Sequence, residues 1–232
     1  MLKALLTDID GTLTDPTRRI DTSAIEEIRS LVDSGIEVVL ASGNATCIMD
    51  GICRMIGTSG TLIAENGGVF RIGYTGTPHI FGDQAICRRA LAAVQAHYRA
   101  KGVELQLYSP TYRFSDLAFA RTVPTDEVKE IIADHPVLVI DTGYAIHLQV
   151  PGVNKGTALV ALAQKMHLAP SDFLAIGDST NDIQMLETAG IGVTVANAHP
   201  ETKAVADYVA EKAYGKGFVE AIRKYEPYFR AR

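Results

Sequence analysis

The chain is poor in several features that would assign it to a class at once. Its three cysteines, Cys47, Cys53 and Cys87, form no C-x-x-C pair, and an odd count argues against a disulfide framework and for a reducing compartment. No apolar run approaches the roughly 18 residues that would span a bilayer. Asp8 interrupts the N-terminal MLKALLTDID before a signal-peptide core is reached, so a soluble, unexported, cytoplasmic protein is expected. Positive charge is not in excess: 22 Lys and Arg against 27 Asp and Glu leave −5, with no basic field to draw the chain onto nucleic acid or an anionic membrane. An anionic ligand therefore needs locally placed cations. The six histidines show no metal-ligand spacing. Tyr214-Gly215-Lys216-Gly217 lacks the earlier glycine and the following Ser or Thr of a Walker loop, and reads as a turn before the last helix. Internal repeats and low-complexity segments are absent.

What is there is ordinary globular material, 232 residues with 47% apolar types, enough for one or two domains and a buried core. Short runs rich in Val, Ile and Leu alternate with helical patterns, which predicts an α/β fold with a mostly parallel, Rossmann-like sheet. Leu2 to Thr7 reads as the first strand. A helix follows from a Ser23–Glu26 capping box, with an Ile25, Ile28, Leu31, Val32 stripe and a Gly35 stop. Ile36 to Ala41 reads as a buried strand, then a helix ends near Gly57, and Thr61 to Ala64 is extended before a Glu65-Asn66-Gly67-Gly68 turn.

From about residue 80 the pattern changes. A long helix, Asp83 to Lys101, precedes extended segments at Val103 to Tyr108 and Leu117 to Ala120, a helix at Thr125 to Ala133, and two strands around Asp141-Thr142-Gly143. Strands joined by so short a turn are antiparallel, so residues 81–150 read as an inserted α+β unit. Residues 1–80 and 151–232 form the core, and the two crossings between the parts can serve as a hinge. After Pro151-Gly152 the alternation resumes, with a helix from Lys155, a strand Phe173 to Ile176, a helix from Asn181, and a strand Ile191 to Val195.

In an open parallel sheet the ligand site lies beyond the carboxyl ends of the strands. The first strand ends in Asp8-Ile9-Asp10-Gly11-Thr12, the second in Ser42-Gly43-Asn44, and a late one in Gly177-Asp178-Ser179-Thr180-Asn181-Asp182. Asp8 and Asp10, two residues apart, suit a pair in which one attacks and the other moves a proton. Taken alone, Asp-Gly reads as turn chemistry. Asp178 and Asp182, four apart at a helix start, would share a face and complete an oxygen-rich pocket of the kind Mg²⁺ prefers, although helix capping explains one of them. Lys155 opens a helix, where a cation opposes the dipole at a cost of a few tenths to about 1 kcal/mol unless an anion sits there. Ser42 and nearby backbone N–H groups suit phosphate oxygens, or simply a turn. The groups need one another: a carboxylate meeting a phosphate dianion feels about 4 kcal/mol per charge pair at 4 Å and an effective dielectric near 20, so cations must be present.

In these four motifs, Asp-x-Asp-Gly-Thr, Ser-Gly-Asn, the Asn-Lys-Gly lysine and Gly-Asp-x-x-Asn-Asp, the sequence resembles the haloacid dehalogenase superfamily of phosphatases. The insert and Glu65-Asn66-Gly67-Gly68 resemble its Cof-type branch, and the compact length and Gly-Tyr-Ala-Ile-His before Lys155 look most like archaeal phosphoglycolate phosphatases. The resemblance implies Asp8 as nucleophile, Asp10 as general acid and base, and Ser42, Gly43, Asn44, Lys155 and Asn181 around the phosphate. It implies Mg²⁺ held by Asp8, Asp10 through its backbone carbonyl, Asp178 and Asp182. A substrate carboxylate calls for a cation in the insert, for which Arg113 is the candidate. The expected partner is a small phosphorylated metabolite, with self-association into a homodimer left open. Rival expectations are a sugar-phosphate phosphatase or phosphomutase, and a receiver-like phospho-acceptor module, which has no use for Asp10 or a large insert.

Overall fold

The computed structural model describes residues 1–229. Its chain divides into two compact units, one made of Met1–His79 and the described chain from Asn154 onward, the other of Ile80–Val153.

The first unit is built on a sheet whose strands read, in chain order, β1 (Ala4–Asp8), β2 (Glu37–Ala41), β3 (Leu62–Ala64), β4 (Val69–Arg71), β5 (His79–Ile80) and, later, the strands Phe173–Gly177, Ile191–Thr194 and Tyr208–Val209. Numbered after the insert's strands, these last three are β9, β10 and β11, and the spatial order is β11-β10-β9-β1-β2-β3-β4-β5. Pairing is parallel from β11 to β3 and antiparallel at β3–β4, where the chain turns back as a hairpin. All five residues of β1 are buried, which fits a central parallel strand covered on both faces.

Helices α1 (Thr22–Asp33) and α2 (Thr46–Ile56) and the late helix Tyr214–Tyr225 share one core with Leu5, Val38, Leu40 and Leu174; Ile28, Met49, Phe218 and Ile222 are their inward residues. Strand alternation turns Leu6 and Val39 to the opposite face. Three expectations shift locally. The cap of α1 is Asp21, whose Oδ1 accepts from the Ser23 N–H at 2.9 Å, so the capping Ser23 expected from its pairing with Glu26 lies inside the helix. Tyr214-Gly215-Lys216-Gly217 is the first turn of the last helix rather than a turn before it. Its glycines are packing devices: a Cβ on Gly215 would lie 2.2 Å from Asp21 Cβ, and one on Gly217 2.2 Å from the Lys212 carbonyl. The helix expected from Asn181 begins at Ile183, behind a 3₁₀ turn at Thr180–Asp182.

The second unit carries α3 (Gln84–Ala100), β6 (Leu117–Ala120), α4 (Thr125–Ile131), β7 (Leu138–Asp141) and β8 (Ala145–Gln149). Its sheet is antiparallel in the order β6-β8-β7, and Leu91, Val94 and Tyr98 of α3 and Val128 of α4 pack with Phe119, Ile146 and Leu148. The segment Val103 to Tyr108 lies along β6 without forming a strand of its own, with a bridge of Leu107 to Phe119 and hydrogen bonds from the Tyr108 N–H to the Ala118 carbonyl and from the Ala120 N–H to the Gln106 carbonyl, each at 2.8 Å.

Arg113 lies inside this unit and needs a correction. Its guanidinium is 3% exposed, donating to Asp116 Oδ1 at 2.5 Å and, through Nε, to the Tyr108 carbonyl at 3.0 Å. The other Asp116 oxygen meets His147 Nδ1 at 2.8 Å. Burial alone would raise the Asp116 carboxyl, yet the hydrogen bond from His147 and the Arg113 charge hold it below the usual carboxylate range. Arg113 is therefore the inner half of a buried ion pair rather than an exposed loop cation, its charge already met by Asp116.

Candidate active site

Because β1, β2 and β9 run parallel, the segments that follow them emerge at one edge of the sheet, and the chain pieces singled out by sequence meet there. Asp8 closes β1, Ser42 follows β2, Asp178 follows β9, and Lys155 is the first residue of the helix Lys155–Lys165, α5 in chain order. Asn154 caps α5 by a reciprocal pair: its side chain accepts from the Thr157 N–H at 2.9 Å, and its own N–H donates to Thr157 Oγ1 at 3.1 Å.

Lys155 is the centre of the arrangement. Its ammonium is fully buried and donates at 2.6 Å to Asp8 Oδ1 and at 2.6 Å to Asp182 Oδ1. Burial alone would pull the lysine down, but the charges of Asp182 and Asp8 outweigh it and hold it above the ordinary lysine range. The other Asp182 oxygen accepts from the Asp178 and Ser179 N–H groups, each at 3.0 Å. Asp182 thus joins the cluster with both oxygens engaged, fixing Lys155 and the loop after β9. The Asp178–Asp182 convergence comes from this 3₁₀ turn, not from one face of an α-helix.

Asp178 is seated over Gly11. A Cβ there would lie 2.4 Å from Asp178 Oδ2, and Gly11 has φ +93°, so both space and backbone require glycine. Thr12 Oγ1 donates to Asp178 Oδ1 at 2.8 Å, a contact the sequence reading missed even though Thr12 stands in the first motif. Asn197, also missed, supports the same loop by donating to the Gly11 carbonyl at 2.8 Å.

Asn44 ties the first two motifs together. Its Nδ2 donates to Asp10 Oδ2 at 3.1 Å and to Ser42 Oγ at 2.9 Å, and its N–H also reaches Ser42 Oγ at 3.1 Å. The Asn44 side chain thus orients Asp10 and the buried Ser42 hydroxyl. Asn181 Nδ2 donates to Asn66 Oδ1 at 2.9 Å.

Oxygens of Asp8, Asp178 and Asp182 lie within 4.8 Å of one another, a set that can hold a metal ion. Burial pushes Asp8 well above the usual carboxylate range; Lys155 opposes this, and Asp182, Asp178 and Asp10 reinforce it. Burial and the Asp182 charge push Asp178 up to about 7 against its hydrogen bond from Thr12. One ammonium does not neutralise this many acids. Closely set hard-oxygen donors carrying uncompensated negative charge suit a small divalent cation.

A stability prediction follows with a definite sign. Acids raised above their unfolded values bind protons more tightly in the folded state, so the metal-free protein loses stability as pH rises from about 4 to about 7. Between pH 5 and 8 its Tm should fall on the order of 5 °C, Mg²⁺ should recover most of the loss at pH 8, and Asp178→Asn should shrink the slope. A Tm independent of both pH and Mg²⁺ over that range would contradict the picture of an under-neutralised cluster.

The family model for haloacid dehalogenase-like hydrolases matches residues 5–116 and 116–222. The chain belongs to that family. Among relatives of this haloacid dehalogenase-like hydrolase, a protein of Methanoculleus marisnigri named phosphoglycolate phosphatase is 61% identical over the whole of both chains. One of the same name from Methanospirillum hungatei is 47% identical, again over both entire chains. A solved structure from Thermoplasma acidophilum superimposes with a TM-score of 0.85 at 28% identity, covering 97% of this chain and 99% of its own. Among the described residues no helix is long and apolar enough to cross a membrane.

Proposed function

We propose that this hydrolase is a Mg²⁺-dependent phosphomonoester phosphatase working through an aspartyl phosphate, with 2-phosphoglycolate as its substrate. The chemistry rests on one observation: the buried Lys155 ammonium bonded at 2.6 Å to both Asp8 and Asp182, beside Asp178. The substrate rests on the name shared by the full-length relatives.

In this reading an Asp8 oxygen attacks phosphorus while the bond to the alkoxide breaks, and the Asp10 carboxyl gives that alkoxide its proton. Asp10 then takes a proton from water, whose oxygen attacks phosphorus and releases inorganic phosphate and the free Asp8 carboxylate. Asn44 keeps Asp10 aimed through its 3.1 Å hydrogen bond. Lys155 holds Asp8 in place and supplies fixed positive charge beside the transferring group. Asp8, Asp178, Asp182 and the Asp10 backbone carbonyl would hold Mg²⁺, Asp182 also fixing the loop that carries Asp178. When bound, the ion offsets charge on the phosphoryl oxygens. Proton transfer is worth about 10² to 10⁴ in rate, far short of what a phosphate monoester requires, so positioning and charge supply most of the acceleration.

The test is phosphate release from a panel of small phosphomonoesters with Mg²⁺ and after EDTA. Release is expected to be highest for 2-phosphoglycolate, lost with EDTA and restored by Mg²⁺. Preference for glucose phosphates would move the reading to a sugar-phosphate enzyme, and a stable phosphoprotein with no release would end it.

A further inference from the structure

The Glu65-Asn66-Gly67 turn joins β3 to β4, yet it does not behave as a hairpin loop. Loops normally lie at the surface, whereas Glu65 is 0% and Asn66 1% exposed. Three successive residues occupy the left-handed region, Glu65 at φ 52°, Asn66 at φ 52° and Gly67 at φ 98°. Only the last is glycine, and two consecutive non-glycine residues there persist only where the surroundings impose them.

The turn's neighbours show what imposes it, since its polar groups reach two other loops and its glycine abuts a helix. The Asn66 N–H donates to the Ser42 carbonyl at 3.2 Å, and the Glu65 N–H to the Asn44 carbonyl at 3.0 Å. Asn66 Oδ1 accepts from Asn181 Nδ2 at 2.9 Å. Gly67 lies so close to α5 that an added Cβ would be 2.1 Å from the Asn154 carbonyl and 2.8 Å from the Lys155 nitrogen. One buried turn thus touches the segment after β2, the segment after β9 and the first peptide of the lysine helix.

We propose that Asn66 is a positioning residue of the phosphate site: it acts through Asn181 and the Ser42–Asn44 segment, and the left-handed turn is the brace that sets both at fixed distance from Lys155. The inference rests on the phosphatase reading above. Asparagine fits the post because it tolerates this backbone better than other non-glycine residues and carries a short side-chain acceptor.

The experiment uses Asn66→Gly, which permits the same backbone conformation and removes the side chain that carries the acceptor for Asn181. The probe is inorganic phosphate as a competitive product inhibitor of 2-phosphoglycolate hydrolysis. Asn66→Gly should raise both KM and the phosphate Ki about tenfold, the size of one lost hydrogen bond, with kcat changed less. Asn181→Ala should do the same, and the double variant should be no worse than either single one. Should glycine lower Tm sharply, the Ki is read well below the variant's melting midpoint, where the protein is folded and the same tenfold rise is expected. An unchanged Ki in a folded Asn66→Gly, or strictly additive effects with Asn181→Ala, would overturn the proposal. A wild-type protein that hydrolyses no phosphomonoester would instead overturn the reading beneath it, so the two failures are distinguishable.

Discussion

Asp8→Asn is expected to lower kcat by at least about 10⁴-fold, because an amide cannot form the acyl phosphate, while the folded protein survives. The stability effect has the opposite sign. Asp8 is 5% exposed, and burial raises its carboxyl against the pull of the Lys155 ammonium at 2.6 Å, so its charge adds little net stability to the fold. Removing that charge while keeping the shape should leave Tm unchanged or raise it by about 2 to 4 °C at pH 8 in the metal-free protein. Kinetics and thermal unfolding on one preparation check both halves. Turnover retained in Asp8→Asn, or an inactive variant that is also unfolded, would go against this account.

The second large effect is at Lys155, and here activity and stability fall together. The ammonium is fully buried between Asp8 and Asp182, so Lys155→Met leaves two carboxylates facing each other with no counter-charge. Breaking a buried ion pair from one side costs about 3 to 5 kcal/mol, which lowers Tm on the order of 10 °C. Losing the fixed positive charge beside the phosphoryl group should cost a further 10² to 10³ or more in kcat, by analogy with the removal of one preorganised donor. Lys155→Arg should not rescue it, because a planar fork does not fit a fully buried seat built for a point charge bridging two oxygens. The contrast between the two variants is informative: both silence the enzyme, but only the lysine variant should melt early.

Why so much of this site is legible in the sequence, and where legibility stops, has a physical basis. Asp8, Lys155 and Asp178 stand directly at the ends of strands or the start of a helix, and in a parallel sheet chain order alone brings such positions to one edge. Lys155 also breaks the dipole rule, which flags a charge with a partner. The contacts that orient these groups leave no such mark. Thr12 reaches across to Asp178, 166 residues away, and Asn181 to Asn66, 115 residues away, and no local pattern encodes either. Asn44 sits in a recognisable motif, but whether its amide faces phosphate or Asp10 depends on the side-chain direction the fold selects.

In the insert the difficulty is different. Arg113 reads as a loop cation because arginine is usually exposed. Its burial depends on Asp116 and His147, the latter 31 residues beyond Asp116 on β8, forming a neutralising pair with geometry only the folded sheet supplies. At element ends, Asp21 and Ser23 compete for one cap, and two such residues so close in sequence cannot be ranked without the backbone angles.

The most direct test of the central claim is to catch the covalent step. Wild-type protein turning over phosphate-labelled 2-phosphoglycolate with Mg²⁺ is quenched in acid, and the peptide carrying Asp8 is examined for an acyl phosphate released by hydroxylamine. The account predicts label on Asp8 in the wild type and none in Asp8→Asn. Steady hydrolysis by the wild type with the label never found on Asp8, and the rate preserved in Asp8→Asn, would contradict it.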